Sequence, residues 1–283
     1  MIKTICVCGA GTMGSGIAQA AAQSGFITIL FDVNTLVLEK AEADIEKNLL
    51  SLVEKQKISA QEKEIIFNRF QFTKDVNQCK ADVVIEAVVE KIEVKVSLFN
   101  QLAALNTDKT IFASNTSSLS ISDIQKKIVH PERVVGMHFF NPATIMKLVE
   151  VVKGKQTSDD NAQTVYKLCQ LMGKTPVMCK DAPGFIVNRV ARHYYLEAFK
   201  LVEEGSADFA TVDKLMEASG FKMGPFKLMD LIGNDINLAV SQSLYDAFNH
   251  TERFKPSPIQ QEKVAKGELG RKTGKGYYEY NKS

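Results

Sequence analysis

The 283-residue sequence has no stretch approaching the ~18 apolar residues that a membrane-spanning helix needs. Its opening run, Met1 to Gly9, lacks the longer apolar core and small-residue cleavage site of a secretory signal. With 17 glycines and 7 prolines it also lacks the composition of a collagenous or proline-rich disordered chain. Charge of one sign is missing as well. The 35 basic and 33 acidic residues leave +2, which argues against a nucleic acid or a membrane surface as partner through bulk charge. Five cysteines (Cys6, Cys8, Cys79, Cys169, Cys179) are odd in number and sit mostly in apolar runs, so they read as reduced thiols of a cytoplasmic protein. Cys6 and Cys8 have C-x-C spacing, yet no nearby His or Cys completes a ligand set, and no metal site is expected.

What is present points to two parts, since a domain takes roughly 150 residues. Short β-rich runs alternate with longer helical patterns over the first part, the mark of a mainly parallel sheet with crossover helices. Strands are expected at Thr4 to Val7, Ile27 to Phe31, Phe70 to Thr73, Val83 to Ala87, Ile111 to Ser114, Val134 to His138, Leu148 to Val152 and Pro176 to Cys179. Helices are expected at Met13 to Ser24, about Asn34 to Lys57, Val94 to Leu105 and Asn161 to Leu171. After Asp181-Ala182-Pro183-Gly184 the strand signal almost disappears, and Phe185 to Glu204 has helical spacing. The expected fold is α/β: a Rossmann-type domain over residues 1–182, then a smaller all-α domain over 183–283.

The segment Gly9-Ala10-Gly11-Thr12-Met13-Gly14 follows a strand and opens a helix, which is the context a G-x-G-x-x-G motif requires. Gly9 permits the tight turn, Gly11 a close approach of backbone to pyrophosphate, and Gly14 close packing of helix on strand. The helix N-terminus then offers N–H groups to the anion. The next strand ends in Asp32, whose carboxylate can accept both ribose hydroxyls and would repel a 2′-phosphate, favouring NAD over NADP. A flavin uses the same cradle, and a purely structural turn is the bland alternative.

His138 ends an expected strand, where open α/β sheets bind ligands, and an imidazole exchanges protons near neutral pH. A core histidine satisfied by a backbone carbonyl is its competitor. Glu150 shifts the balance: it interrupts the apolar run Leu148-Val149-Glu150-Val151-Val152, where a lone carboxylate is costly to bury without a partner. Paired with His138 it would orient the imidazole; on an edge strand it would be mere surface. Ser114-Asn115-Thr116-Ser117-Ser118 also follows a strand, either as polar groups for a ligand or as the cap of a helix from Leu119 to Ile128. Asn188 falls in the first turns of the second part.

These residues carry a resemblance. The blocks Gly9 to Gln19, Ala113 to Leu119, Met137 to Pro142, Met146 to Val151, Ala182 to Arg189, Met223 to Phe226 and Gly270 to Tyr278 together resemble the short-chain 3-hydroxyacyl-CoA dehydrogenases, on the side of the bacterial 3-hydroxybutyryl-CoA dehydrogenases. The resemblance spans essentially the full length. It implies a catalytic pair of His138 and Glu150, with Ser117 and Asn188 on the reacting oxygen. It further implies cofactor contacts from Glu90, Lys95, Ser117, Asn141 and Lys272, and contacts to the CoA moiety from Asn48, Lys55 and Ser117. A homodimer built from the second domain is implied too. Thr144, Lys227 and Asn234 stand where the family commonly has Pro, Glu and Leu.

The expected activity is NAD-dependent interconversion of (S)-3-hydroxyacyl-CoA and 3-oxoacyl-CoA, with a four-carbon chain. Two rivals remain: a dehydrogenase of free hydroxy acids that uses a lysine base, and a non-catalytic, crystallin-like structural relative. A small, highly anionic ligand such as an acyl-CoA escapes the argument from net charge, because a lysine-rich helix between Asn34 and Lys57 is averaged into the +2.

Overall fold

The computed structural model describes residues 2–280. The chain divides into two compact units, Met1–Ala182 and Pro183–Ser283.

Among the described residues, the first unit is built on eight strands: β1 Thr4–Cys8, β2 Ile27–Phe31, β3 Phe70–Thr73, β4 Val83–Glu86, β5 Ile111–Ser114, β6 Val134–Phe139, β7 Leu148–Lys153 and β8 Thr175–Lys180. Their spatial order is β3-β2-β1-β4-β5-β6-β7-β8. All neighbours run parallel except β6 and β7, which pair antiparallel. The chain direction across the sheet reverses between β1 and β4, the crevice where open α/β sheets bind their ligands.

Helices join these strands: α1 Thr12–Gln23, α2 Thr35–Glu54, α3 Ala60–Phe67, α4 Ile92–Leu105, α5 Ile121–Gln125 and α6 Asp159–Leu171. Side-chain caps set their starts. Asn34 accepts the amides of Leu36 and Val37, Ser59 and Glu62 form a capping box, and Ser158 accepts the amide of Asn161. Period-2 alternation in β1 puts Ile5 and Val7 against α1 and α2, while Cys6 and Cys8 take the other face. On α2, Leu38, Ala41, Ile45 and Leu49 form the buried stripe, and each fully buried Leu or Ile stabilises by about 1.5–3 kcal/mol. The opposite face carries Phe99 of α4 packed on Phe112 of β5, ring centroids 5.5 Å apart.

The second unit is helical: α7 Val187–Glu203, α8 Phe209–Ala218, α9 Pro225–Ile232, α10 Asn234–Ala247 and α11 Pro258–Ala265. Phe199, Phe226, Met229 and Tyr277 form its core. Asp230, almost wholly buried, organises the C-terminal strap. Its Oδ1 accepts from Asn234 Nδ2 at 3.1 Å and the Tyr277 amide at 3.0 Å; its Oδ2 accepts from the Tyr278 amide at 3.1 Å and the Tyr280 hydroxyl at 3.0 Å. A Cβ on Gly276 would lie 1.9 Å from Asp230 Oδ1, and one on Gly270 would lie 2.3 Å from its carbonyl oxygen, so both positions require glycine. Asp230→Ala should therefore lower stability by roughly 3 kcal/mol or more, since each buried donor left unpaired costs ~1–3 kcal/mol. Urea unfolding measures it; a loss under about 1 kcal/mol would contradict the argument.

Several expectations change. The stretch expected to stay helical to Lys57 stops at Glu54, and a separate helix, α3, follows. The helix expected from Leu119 to Ile128 shrinks to Ile121–Gln125, with Ser120 as its cap. Glu150 is not on an edge strand, because β8 covers β7.

Candidate active site

The glycine turn links β1 to α1. Gly9 has φ +101°, and a Cβ there would sit 2.5 Å from the Ala87 carbonyl oxygen, so the loop after β4 presses directly on the turn. A Cβ on Gly14 would meet the Gly9 carbonyl oxygen at 1.7 Å. A Cβ on Gly11 would meet no protein atom within 4 Å; the space beside it is open. No side chain caps the N-terminus of α1 and no acid lies in its first turn, which leaves its amides for an anion. At the end of β2, Asp32 Oδ2 accepts the Ala10 amide at 2.8 Å and Oδ1 the Asn34 amide at 2.9 Å. Asp32 thus holds the turn. These features fit a dinucleotide whose adenosine ribose carries free hydroxyls.

At the far side of the crevice, His138 and Glu150 face each other in the antiparallel register of β6 and β7. Directly opposed residues bring their Cβ atoms within about 5 Å, so twelve residues of separation in sequence close to a contact in space. His138 Nδ1 lies 2.8 Å from Glu150 Oε2, with His138 5% and Glu150 1% exposed. An ionised carboxylate only accepts, so the pairing puts a proton on Nδ1 and directs Nε2 away from Glu150. Phe140 packs against the imidazole, ring centroids 4.6 Å apart.

Glu90, Lys95 and Ser117 come together between these two places. Lys95 Nζ lies 3.0 Å from Glu90 Oε2. Glu90 Oε1 accepts the amides of Ser117 and Ser118 at 3.2 and 3.3 Å, the Ser118 hydroxyl at 2.9 Å, and the Thr116 hydroxyl. Burial pushes the Glu90 carboxyl up, but the Lys95 charge and the hydroxyl bonds outweigh it and hold it below the usual range.

A cleft of about 360 Å³ opens beside α1, lined by Ser15, Gln19, Lys47, Asn48 and the 141–144 segment, including Asn141. Gly16 lets that segment approach: a Cβ there would stand 3.3 Å from Ala143 Cβ. Lys174 secures it, donating to the carbonyls of Ala143 at 2.5 Å and Met146 at 3.0 Å, while burial pushes its pKa down. Asn48 Nδ2 is 3.4 Å from Gln19 Oε1. Lys55, exposed at the C-cap of α2, does not line this cleft, whereas Lys47 does.

Asn188 and Lys272 belong to the second unit. Asn188 is half-buried in the first turn of α7, and Lys272 Nζ sits 2.6 and 2.7 Å from the two Asp235 carboxylate oxygens. Among the described residues no helix is long and apolar enough to cross a membrane, and no group of three His, Cys, Asp or Glu is placed to hold a metal.

Some polar groups take structural roles that the sequence does not assign. Asn115 accepts the Phe139 amide at 2.9 Å and so ties the ends of β5 and β6. Asp181 accepts from Ser120, Ile121 and Ser122 at the start of α5. Glu86 ends the apolar run Val83-Val84-Ile85-Glu86, the same signal that singled out Glu150.

Residues 4–182 match the family model described as 3-hydroxyacyl-CoA dehydrogenase, NAD binding domain, and residues 184–280 its C-terminal domain. The chain is 46% identical, over 99% of its length, to a 3-hydroxyadipyl-CoA dehydrogenase of Escherichia coli K12, of which it spans 59%. It is 41% identical to a probable 3-hydroxybutyryl-CoA dehydrogenase of Deinococcus radiodurans, covering 97% of this chain and 99% of that one. The crystal structure of an (S)-3-hydroxybutyryl-CoA dehydrogenase from Ralstonia eutropha superposes with a TM-score of 0.95 at 38% identity, covering all of both chains. The chain belongs to the 3-hydroxyacyl-CoA dehydrogenase family and is an NAD-dependent oxidoreductase.

Proposed function

We propose that the protein interconverts (S)-3-hydroxyacyl-CoA and 3-oxoacyl-CoA, with the four-carbon pair 3-hydroxybutyryl-CoA and acetoacetyl-CoA as its substrates. The observation that carries this reading is the buried His138–Glu150 pair at the carboxyl end of β6, in a chain whose full-length relatives are named for CoA esters.

Bound NAD supplies the two-electron redox step at the substrate carbon. Gly9, Gly11, Gly14 and Asp32 hold its adenosine diphosphate end, and Glu90, Lys95, Ser117, Asn141 and Lys272 contact the rest. In the oxidation direction His138 takes the hydroxyl proton on Nε2; in reduction the imidazolium returns it to the forming alcohol. Glu150 keeps Nδ1 protonated and stabilises the imidazolium. Ser117 and Asn188 donate to the substrate oxygen where negative charge grows, worth a few kcal/mol in a dry site. For the CoA moiety, Asn48 and Lys55 are read as contacts, and Lys47 joins them as a lining residue of the cleft beside α1.

The same reading makes the protein a cytoplasmic homodimer joined through the second unit. Its five free cysteines and the exposed Leu231, Ile232 and Ile236 on α9 and α10 are consistent with that.

Steady-state oxidation of NADH and NADPH with acetoacetyl-CoA, longer 3-oxoacyl-CoA esters and free acetoacetate tests the proposal. Acetoacetyl-CoA with NADH should give the highest kcat/KM, with NADPH at least ~100-fold poorer because a 2′-phosphate would face Asp32. Faster turnover of acetoacetate than of its CoA ester would favour the free-acid dehydrogenase, and predominant NADPH use would overturn the role of Asp32.

A further inference from the structure

The least expected charge in the first unit is Glu86. It closes β4 between β1 and β5, in register with Cys8 on one side and Ser114 on the other, and it has no exposed surface. Its Oε1 accepts Lys95 Nζ at 2.6 Å and the Val88 amide at 2.8 Å, and its Oε2 accepts the Ser114 hydroxyl at 2.7 Å. Lys95 is 1% exposed, so its ammonium is buried with it. Burial of the Glu86 carboxyl raises its pKa, and Lys95 only partly offsets this.

An ion pair so deep is weak evidence for stability, because apolar side chains of similar volume often serve as well or better. Its connections explain it better. The same Lys95 Nζ reaches Glu90, half-exposed at the mouth of the crevice, and Glu90 in turn holds the Thr116 and Ser118 hydroxyls and the amides of Ser117 and Ser118. Lys95 therefore stands between a fixed carboxylate and one that holds a loop. Without the fixed partner, nothing on β4 would oppose a swing of the ammonium toward Glu90 and solvent. Glu86 also meets the loop from below through Ser114, whose hydroxyl oxygen is 3.3 Å from the Thr116 amide.

We propose that Glu86 is a positioning residue of the cofactor site: it anchors Lys95 Nζ, so that Lys95 and Glu90 together fix residues 116–118. The inference rests on the reading of Glu90, Lys95 and Ser117 as cofactor contacts. Glu86 touches no ligand itself and acts through Lys95.

A double-mutant cycle tests it, with NADH affinity read from fluorescence titration and folding checked by circular dichroism. Glu86→Gln keeps the size, removes the charge and turns one accepting oxygen into an NH₂ donor; facing Ser114, whose hydroxyl can accept as well as donate, that group leaves the remaining oxygen to accept from Lys95 and the Val88 amide. It should weaken NADH binding about tenfold, the usual scale for groups that orient a contacting residue. Lys95→Met should weaken it at least as much. In the Lys95→Met background, Glu86→Gln should add less than about twofold, because its route of action is gone. Full additivity, or wild-type NADH affinity in Glu86→Gln while Lys95→Met is weakened, would overturn the proposal. Unchanged affinity in Lys95→Met would instead overturn the cofactor reading on which it rests. Should Glu86→Gln alone fail to fold, Lys95→Met is compared with Glu86→Gln/Lys95→Met. Equal affinities support the proposal and a further loss overturns it.

Discussion

Glu150→Gln should lower turnover by about 10²–10⁴-fold while NADH affinity stays within about twofold of the unaltered protein. The carboxylate lies 2.8 Å from His138 Nδ1 and both groups are buried, so solvent screens its charge from the imidazolium far less than at a surface. Glutamine has the same shape without the charge. If its NH₂ turns toward Nδ1, the imidazole is held in the tautomer that cannot accept a proton on Nε2; if its oxygen turns there, the imidazolium loses its counter-charge. Both orientations slow proton transfer, in oxidation and in reduction alike. The glycine turn and Asp32 lie at the other end of the crevice and keep their own bonds, so binding of NADH is untouched. Steady-state kinetics with acetoacetyl-CoA, beside a fluorescence titration with NADH, separates the two effects. Loss of affinity matching the loss of turnover would contradict the assignment.

Gly11→Ala and Gly14→Ala should both weaken NADH binding, and only the second should also destabilise the protein. The methyl group that Gly14→Ala adds would meet the Gly9 carbonyl oxygen at 1.7 Å, and backbone at that distance has to move. Gly9 cannot yield freely, because the Ala87 carbonyl already crowds it. Overpacking of this kind costs roughly 1–3 kcal/mol, which corresponds to about 5- to 150-fold if all of it falls on binding. The methyl group that Gly11→Ala adds, by contrast, enters open space beside the N-terminus of α1 and touches no protein atom. Its entire cost therefore appears when a pyrophosphate must approach the backbone. Thermal unfolding without ligand distinguishes the two: Gly11→Ala should melt with the unaltered protein, Gly14→Ala several degrees lower. Equal NADH affinity in Gly11→Ala would place the pyrophosphate elsewhere.

The glycine turn was legible because strand, turn and helix each leave a local mark, and all three agree around Gly9 to Gly14. What Asp32 does there was only half legible. A carboxylate at the end of β2 announces a ribose, but its bond to the Ala10 amide depends on how the turn folds back. His138 and Glu150 could be paired because a carboxylate inside Leu148 to Val152 needs a partner. The antiparallel register that delivers it is set by the return of the chain through residues 140–147, which no periodicity encodes. Glu86 carries the same signal at the end of Val83 to Glu86, yet its partner Lys95 lies on a helix and looks in sequence like an exposed cation. Helix α3 leaves little mark in the sequence because only Ile66 is buried on it, so it has almost no apolar stripe; the Ser59 and Glu62 capping box is its one local signal. On α2, helical spacing could not separate the cleft-lining Lys47 and Asn48 from Lys55 two turns on, because the cleft wall is completed by α1 and the 141–144 segment.

If His138 moves the proton while a CoA-linked ketone is reduced, removing its imidazole must slow the chemical step and leave cofactor binding intact. The most direct measurement is single-turnover NADH oxidation by acetoacetyl-CoA, comparing the unaltered protein with His138→Asn, each preloaded with NADH. The rate of His138→Asn should fall by about 10²–10⁴-fold with NADH affinity unchanged. A single-turnover rate within about twofold of the unaltered protein would contradict it.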